Sequence, residues 1–265
     1  MAIRNHLLRL VANISITFIK RKSIQQILFN GIRLQRQELG DILVDRNLKF
    51  LGYCLGRREW SKSQILQDLW VCFELGEKPN GFFVEFGATN GLVNSNTWLL
   101  ETKFGWKGIL AEPNPVWHAE LKNNRSAHIE ELCVFSKSGE TVEFLTTDDS
   151  DPELSSIAGF SEDDHFAGVR QSGNRLSIGT ISLSDLLVKY DAPETIDYIS
   201  IDTEGSELDI LKAFDFDRYK FRLLSIELNP KTESKIQKLL EDKGYERVFP
   251  VFSQWDGWFR RAGGV

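Results

Sequence analysis

Residues 81–91, Gly81-Phe82-Phe83-Val84-Glu85-Phe86-Gly87-Ala88-Thr89-Asn90-Gly91, leave this chain few folds to choose from. An apolar run rich in β-formers reads as a strand buried on both faces, as in a parallel sheet. The glycines behind it let the backbone turn sharply and approach a ligand at the strand's carboxyl end, where open α/β sheets bind. A nucleotide-type pocket is expected there.

The remaining chain alternates strand and helix. Ser61 or Ser63 is expected to cap a helix that turns Ile65, Leu66 and Leu69 inward. Strands are expected at 108–112, at 129–135 with a hairpin partner at 141–146, at 196–202 and at 223–228, then a final pair at 245–251 and 257–260. Helices follow at 116–125, at 184–190 with Ser182 or Ser184 as cap, after Thr203, and at 232–243, which Gly244 ends. Residues 147–176 are polar and aperiodic, the composition of a lid or substrate loop. This order predicts an α/β protein with a doubly wound, mostly parallel sheet.

Charge divides the chain. Residues 1–37 hold seven basic side chains and no acid, so the other 25 basic and 38 acidic residues give −13. An acidic main domain argues against nucleic acid as a partner. The expected organisation is a basic helical extension, residues 1–58, before a domain at 59–265. Leu7, Val11, Ile14 and Phe18 follow helical spacing in a segment too short and polar to span a bilayer. Its Lys20-Arg21-Lys22 cluster suits an anionic membrane surface; packing on the domain or on a second subunit suits it equally. Cys54, Cys72 and Cys133 lie far apart among apolar neighbours, as reduced packed thiols do in a cytoplasmic protein.

Three predicted strands end in acids, Glu85, Glu112 and Asp202, with Glu227 a fourth. Such an edge repels a bare phosphate and suits a cation that also bears hydroxyls. S-adenosylmethionine is both, with its sulfonium, amino group and ribose. A dinucleotide site would want G-x-G-x-x-G, and Gly87-Ala88-Thr89-Asn90-Gly91 lacks the closely spaced glycines.

Four stretches, in order, resemble the FkbM family of S-adenosylmethionine-dependent methyltransferases. They are Ser63-Gln64 with Gln67-Asp68-Leu69-Trp70; Phe83 to Ala88; Ser95-Asn96-Thr97 with Trp106-Lys107-Gly108 and Glu112-Pro113-Asn114-Pro115; and Ile201 to Glu207. The resemblance implies a class I methyltransferase (Rossmann-like) fold, a seven-stranded sheet whose last strand is antiparallel. It implies that Glu85, Gly87 and Gly91 cradle the methionine part and Glu112 takes the ribose. Val134 would flank the adenine, with Ala88, Asn90, Asn94, Ser95, Pro113 and Asn114 completing the cofactor set. It also implies O-methylation of a hydroxyl on a sugar, glycan or glycolipid. A lipid or small secondary-metabolite acceptor, and a non-catalytic protein retaining the fold, are the alternatives. A sugar hydroxyl needs a base or a metal to take its proton. Asp202 is the first candidate and Glu204 the second; Glu227 and His165 are more distant. Glu207 reads as a helix cap. Carboxylates with water suit Mg²⁺, but no dedicated cluster is visible and no metal ligand is assigned.

Overall fold

In a computed structural model the described residues are 45–146, 156–157 and 174–263, with Gln26 and Asn30. The expected helix at 7–19, most of the 147–176 loop and His165 lie outside them. The chain divides into two compact units, Met1–Gly52 and Tyr53–Val265, at a point inside helix α1 (Arg46–Arg57). In the first unit Asp45 accepts the Leu48 N–H at 3.0 Å, capping α1.

The second unit carries helices α2 (Gln67–Glu74), α3 (Trp98–Phe104), α4 (His118–Asn124), α5 (Leu183–Lys189), α6 (Glu207–Ala213) and α7 (Glu233–Asp242). Its main sheet uses β1 (Phe82–Phe86), β2 (Lys107–Ala111), β3 (His128–Glu130), β8 (Thr195–Ile201), β9 (Lys220–Glu227), β10 (Tyr245–Val248) and β11 (Asp256–Arg261). Their spatial order is β10-β11-β9-β8-β1-β2-β3, and β11 runs antiparallel to both neighbours. This is the seven-stranded sheet expected of a class I methyltransferase. Strand order reverses between β1 and β8, the switch point where such sheets open a crevice. β1 is buried along its last four residues and β8 along its last six, as their mostly apolar sequences require, with Glu85, Asp197 and Ser200 buried among them.

A second sheet departs from the expected pattern. The stretch 129–135 is two strands, not one: β3 pairs with β2, whereas β4 (Cys133–Phe135) pairs parallel with β7 (Asn174–Ser182). Between them Glu130 accepts the Leu132 N–H at 3.1 Å and the Lys189 ammonium at 2.6 Å, which turns the chain out of the first sheet. The expected hairpin with β5 (Thr141–Thr146) does not form, because β7 inserts between β4 and β5. Thr180 of β7 binds the turn directly: its hydroxyl donates to the Lys137 carbonyl at 2.7 Å and its carbonyl accepts the Gly139 N–H at 2.9 Å. β6 (Ser156–Ile157) completes this sheet against β5.

Helix α2 also starts later than expected, without a serine at its N-cap. Ser61 donates instead to the buried Asp68 carboxylate at 2.6 Å, and Ser63 Oγ accepts the Asp68 N–H at 3.1 Å. The helix is locked to the sheet by Trp70 and Trp258, both fully buried and stacked 4.9 Å apart at 15°. That stack brings Gln67 to the Asp256 carboxylate, 3.0 Å away. Ser182 is the α5 cap, accepting the Asp185 N–H. The three cysteines are free and buried. No helix among the described residues is long and apolar enough to cross a membrane.

Candidate active site

At the β1 tip Gly87 takes φ +70°. A Cβ there would stand 2.4 Å from the Asp202 carbonyl oxygen, so only glycine lets the β1 and β8 tips approach this closely. Gly91, at φ +74°, abuts Arg125 in the same way, its would-be Cβ 2.6 Å from Arg125 Cγ. Arg125 is the hub behind the turn. Its wholly buried guanidinium donates to Glu101 at 2.7 Å, the Gly91 carbonyl at 3.1 Å, Ser95 Oγ at 3.0 Å and Thr97 Oγ1 at 2.8 Å. The Ser95 and Thr97 hydroxyls pass this on to Glu85, which also accepts the Asn96 N–H at 2.7 Å. Glu85 is thus a buried carboxylate that the protein has surrounded with donors.

Glu112 follows β2. One of its oxygens accepts the Thr89 N–H and the other the Asn114 N–H, both at 2.8 Å. Burial outweighs those two donors and raises its pKa to about 7. Thr89 holds φ +45°, an outlier for a β-branched residue, and its bond to Glu112 helps keep it there.

Across the switch point the acids face one another instead. Asp202, at the β8 tip, opens to solvent through the cavity yet is ringed by protein. That enclosure, with the charges of Glu204, Asp256 and Glu207, lifts its carboxyl well above the usual range. Asp202 and Glu227 hydrogen-bond, and burial with the neighbouring acids raises Glu227 as well. Two carboxyls in that relation share a proton. Glu204 sits at φ +56° in a loop that Glu207 builds: the Glu207 carboxylate accepts the N–H groups of Thr203 and Gly205, at 3.0 and 2.9 Å. One oxygen each from Asp202, Glu204 and Glu227 fall within 4.8 Å of one another, a cluster that sequence reasoning did not foresee. Three carboxylates alone do not select an ion, and none is assigned.

These tips surround one cavity of about 740 Å³. Of the residues expected to touch cofactor, Glu85, Gly87, Ala88, Asn90, Asn94 and Ser95 line it on the β1 side, and Glu112, Pro113 and Val134 on the β2 side. Asp202 and Glu204 line it at the β8 tip. Gly91 and Asn114 do not: Gly91 lies behind the wall against Arg125, and Asn114 is buried as the cap of a 3₁₀ turn. Sequence reasoning missed Arg125, Asn96, Trp117, Trp255 and Asp256. The last four line the cavity. Asn96 Oδ1 and Trp117 Nε1 are buried without a protein partner, one acceptor and one donor in its wall. Among the described lining residues there are six carboxylates and no lysine, arginine or histidine.

The methyltransferase FkbM domain model matches residues 85–263. The chain therefore belongs to the FkbM methyltransferase family. It is 27% identical over 205 residues to methyltransferase sdnD of Sordaria araneosa, covering 66% of this chain and 78% of that one. Similar solved structures include the precorrin-6y C5,15-methyltransferase of Geobacter metallireducens GS-15, 11% identical with a TM-score of 0.37, over 72% of this chain and 84% of that one. Another is a human methyltransferase 10 domain-containing protein, 15% identical with a TM-score of 0.39, over 82% and 97%.

Proposed function

We propose that this FkbM-family methyltransferase uses S-adenosylmethionine to O-methylate a hydroxyl of a sugar, glycan or glycolipid. The observation that carries the reading is the cavity wall, which gathers carboxylates at four strand tips with no described cation among them. No described lining residue neutralises a pyrophosphate, whereas a sulfonium and an ammonium are attracted. The orphaned atoms fit as well: Asn96 Oδ1 can accept from the ammonium and Trp117 Nε1 can donate to the adenine.

When bound, S-adenosylmethionine supplies an electrophilic methyl on a good leaving group. Glu112 keeps its second lone pairs for the ribose hydroxyls. Asp202 lies at the switch point, where the acceptor oxygen must arrive in line with the methyl carbon. Asp202 would take the proton of the acceptor hydroxyl as that oxygen receives the methyl group. A raised pKa makes its carboxylate a stronger base than an ordinary one. Glu227, hydrogen-bonded behind it, can hold the proton the pair already shares.

Calorimetry with S-adenosylhomocysteine tests the cofactor assignment. Wild type is expected to bind and Glu112→Ala to bind at least about tenfold more weakly. Absence of binding, or no difference between the two, rejects it.

A further inference from the structure

The sheet order divides the cavity. Glu112 and Val134 lie on the β2 side of β1, while Asp202, Glu227 and Asp256 lie on the β8–β9–β11 side. Asp256 opens β11 as the register partner of Glu227, the residue that ends β9. Neighbouring strands lie about 5 Å apart, so Asp256 starts about 10 Å along the edge from β8, on the side away from Glu112. With the ribose at Glu112 and the reacting oxygen at Asp202, the rest of the acceptor has this direction left to extend in. That assignment rests on the proposed reaction.

A glutamine reaches the same place from the stretch Ser63 to Trp70. Gln64 and Gln67 line the cavity, whereas Ser63 and Asp68 knit the loop before α2. Gln67 is buried, and its amide can lie only one way round. Its Oε1 accepts the Ile65 backbone N–H at 3.1 Å, so Nε2 is the end that donates to Asp256, 3.0 Å away.

A tie between α2 and β11 does not by itself call for an acid. The Trp70–Trp258 stack already joins the two elements, and a buried charge costs more than a neutral contact. Where a buried carboxylate is structural in this protein it is well supplied: Asp68 accepts from the Ser61 hydroxyl and from the Lys62 and Leu69 N–H groups. Among the described residues, Asp256 has the Gln67 amide as donor and the Trp258 indole beside it. Burial outweighs both and holds its carboxyl up at about 6. Above that pH it is a charge in the cavity wall with acceptor positions still open.

We propose that Gln67 and Asp256 together bind a second hydroxyl of the acceptor, remote from the one that is methylated. Asp256 accepts a hydrogen bond from that hydroxyl, and the other N–H of the Gln67 amide donates to an oxygen beside it. A polyol presents donor and acceptor oxygens side by side, as this pair requires. A hydrocarbon chain presents neither and would leave both groups unpaired.

The test uses the full chain, labelled S-adenosylmethionine, and a set of methyl hexopyranosides with their monodeoxy forms. In wild type one position other than the methylated one should, when deoxy, raise KM at least about fivefold. Asp256→Asn keeps the shape of the site and should raise KM for the parent glycoside at least about fivefold, with kcat within about threefold. S-adenosylhomocysteine affinity in calorimetry should stay within about twofold, which also reports a folded variant. The deciding measurement is the coupling: in Asp256→Asn the deoxy form should lose its disadvantage, its KM falling to within about twofold of the parent's. Gln67→Leu, close in volume to the original side chain, should raise KM in the same direction. An unchanged KM in both variants, a deoxy penalty that persists in Asp256→Asn, or a matching loss of S-adenosylhomocysteine affinity overturns the inference. If every glycoside is inert while S-adenosylhomocysteine still binds, the saccharide reading itself fails and takes this inference with it.

Discussion

The two halves of the cavity hold the same functional group in opposite states. On the β1–β2 side each carboxylate is satisfied by protein donors: Glu85 by two hydroxyls, a backbone N–H and the nearby Arg125, Glu112 by two backbone N–H groups. On the β8–β9 side Asp202 and Glu227 face each other, with an oxygen of Glu204 within 4.8 Å of both. A carboxylate with donors is a fixed acceptor that shapes a pocket. Crowded carboxylates are proton carriers. The acids read as equivalent strand tips in the sequence; their surroundings, not their identity, assign them to holding or to chemistry.

Four substitutions can break this contrast. Asp202→Asn removes the proton carrier and should lower kcat by about two to four orders of magnitude, leaving S-adenosylhomocysteine affinity within a few-fold in calorimetry. A matching loss of affinity would move Asp202 into the holding half. Arg125→Met strips the donor hub from the other half and leaves Glu85 and Glu101 buried without it, so urea denaturation should show a loss of about 3–5 kcal/mol. A loss below about 1 kcal/mol would show that the hub is not what satisfies Glu85.

Glu112→Gln keeps the shape and removes the charge; cofactor affinity should drop by about tenfold. The pH profile sharpens this. The ionised form is the better acceptor and Glu112 titrates near 7, so wild-type affinity should rise from about pH 6 to about pH 8, and the variant's should not. The smallest effect belongs to Glu227→Gln. A folded pKa raised above the unfolded value favours folding at low pH, a contribution lost as pH climbs through the folded value. The variant should therefore gain stability over wild type on going from about pH 5 to about pH 8, by less than about 1 kcal/mol in thermal melts. A variant gain that shrinks with rising pH would contradict the proposed proton sharing.

Much of the main sheet was legible because its strands are buried on both faces, so apolar runs and their acid ends mark them without knowledge of partners. The second sheet was not. β7 lies between β4 and β5 in space but follows both in sequence, and local pattern favours the nearer hairpin across Lys137-Ser138-Gly139. The same distance hid Arg125, whose contacts lie 24 to 34 residues upstream, so that in sequence it reads as a charged helix end. Trp255 was illegible for another reason: its neighbour Trp258 looks identical in sequence, and only the fold buries one indole and leaves the other open. Gly91 carries a packing demand that its sequence context does not announce, since a side chain there would collide with Arg125 and Leu121.

The Trp70–Trp258 stack bears on how the protein can be cut. The family match begins at Glu85, inside β1, whereas Trp70, Gln67 and the first half of that strand precede it. A fragment trimmed to the matched span would keep Trp258 and lose the surface that covers it, leaving a large apolar face on the sheet open to water and to other chains. It would also lose the Gln67 side chain that pairs with Asp256 in the cavity wall. Recombinant work on the catalytic unit therefore has to begin upstream of Ser61, where Asp68 gathers the loop that leads into α2.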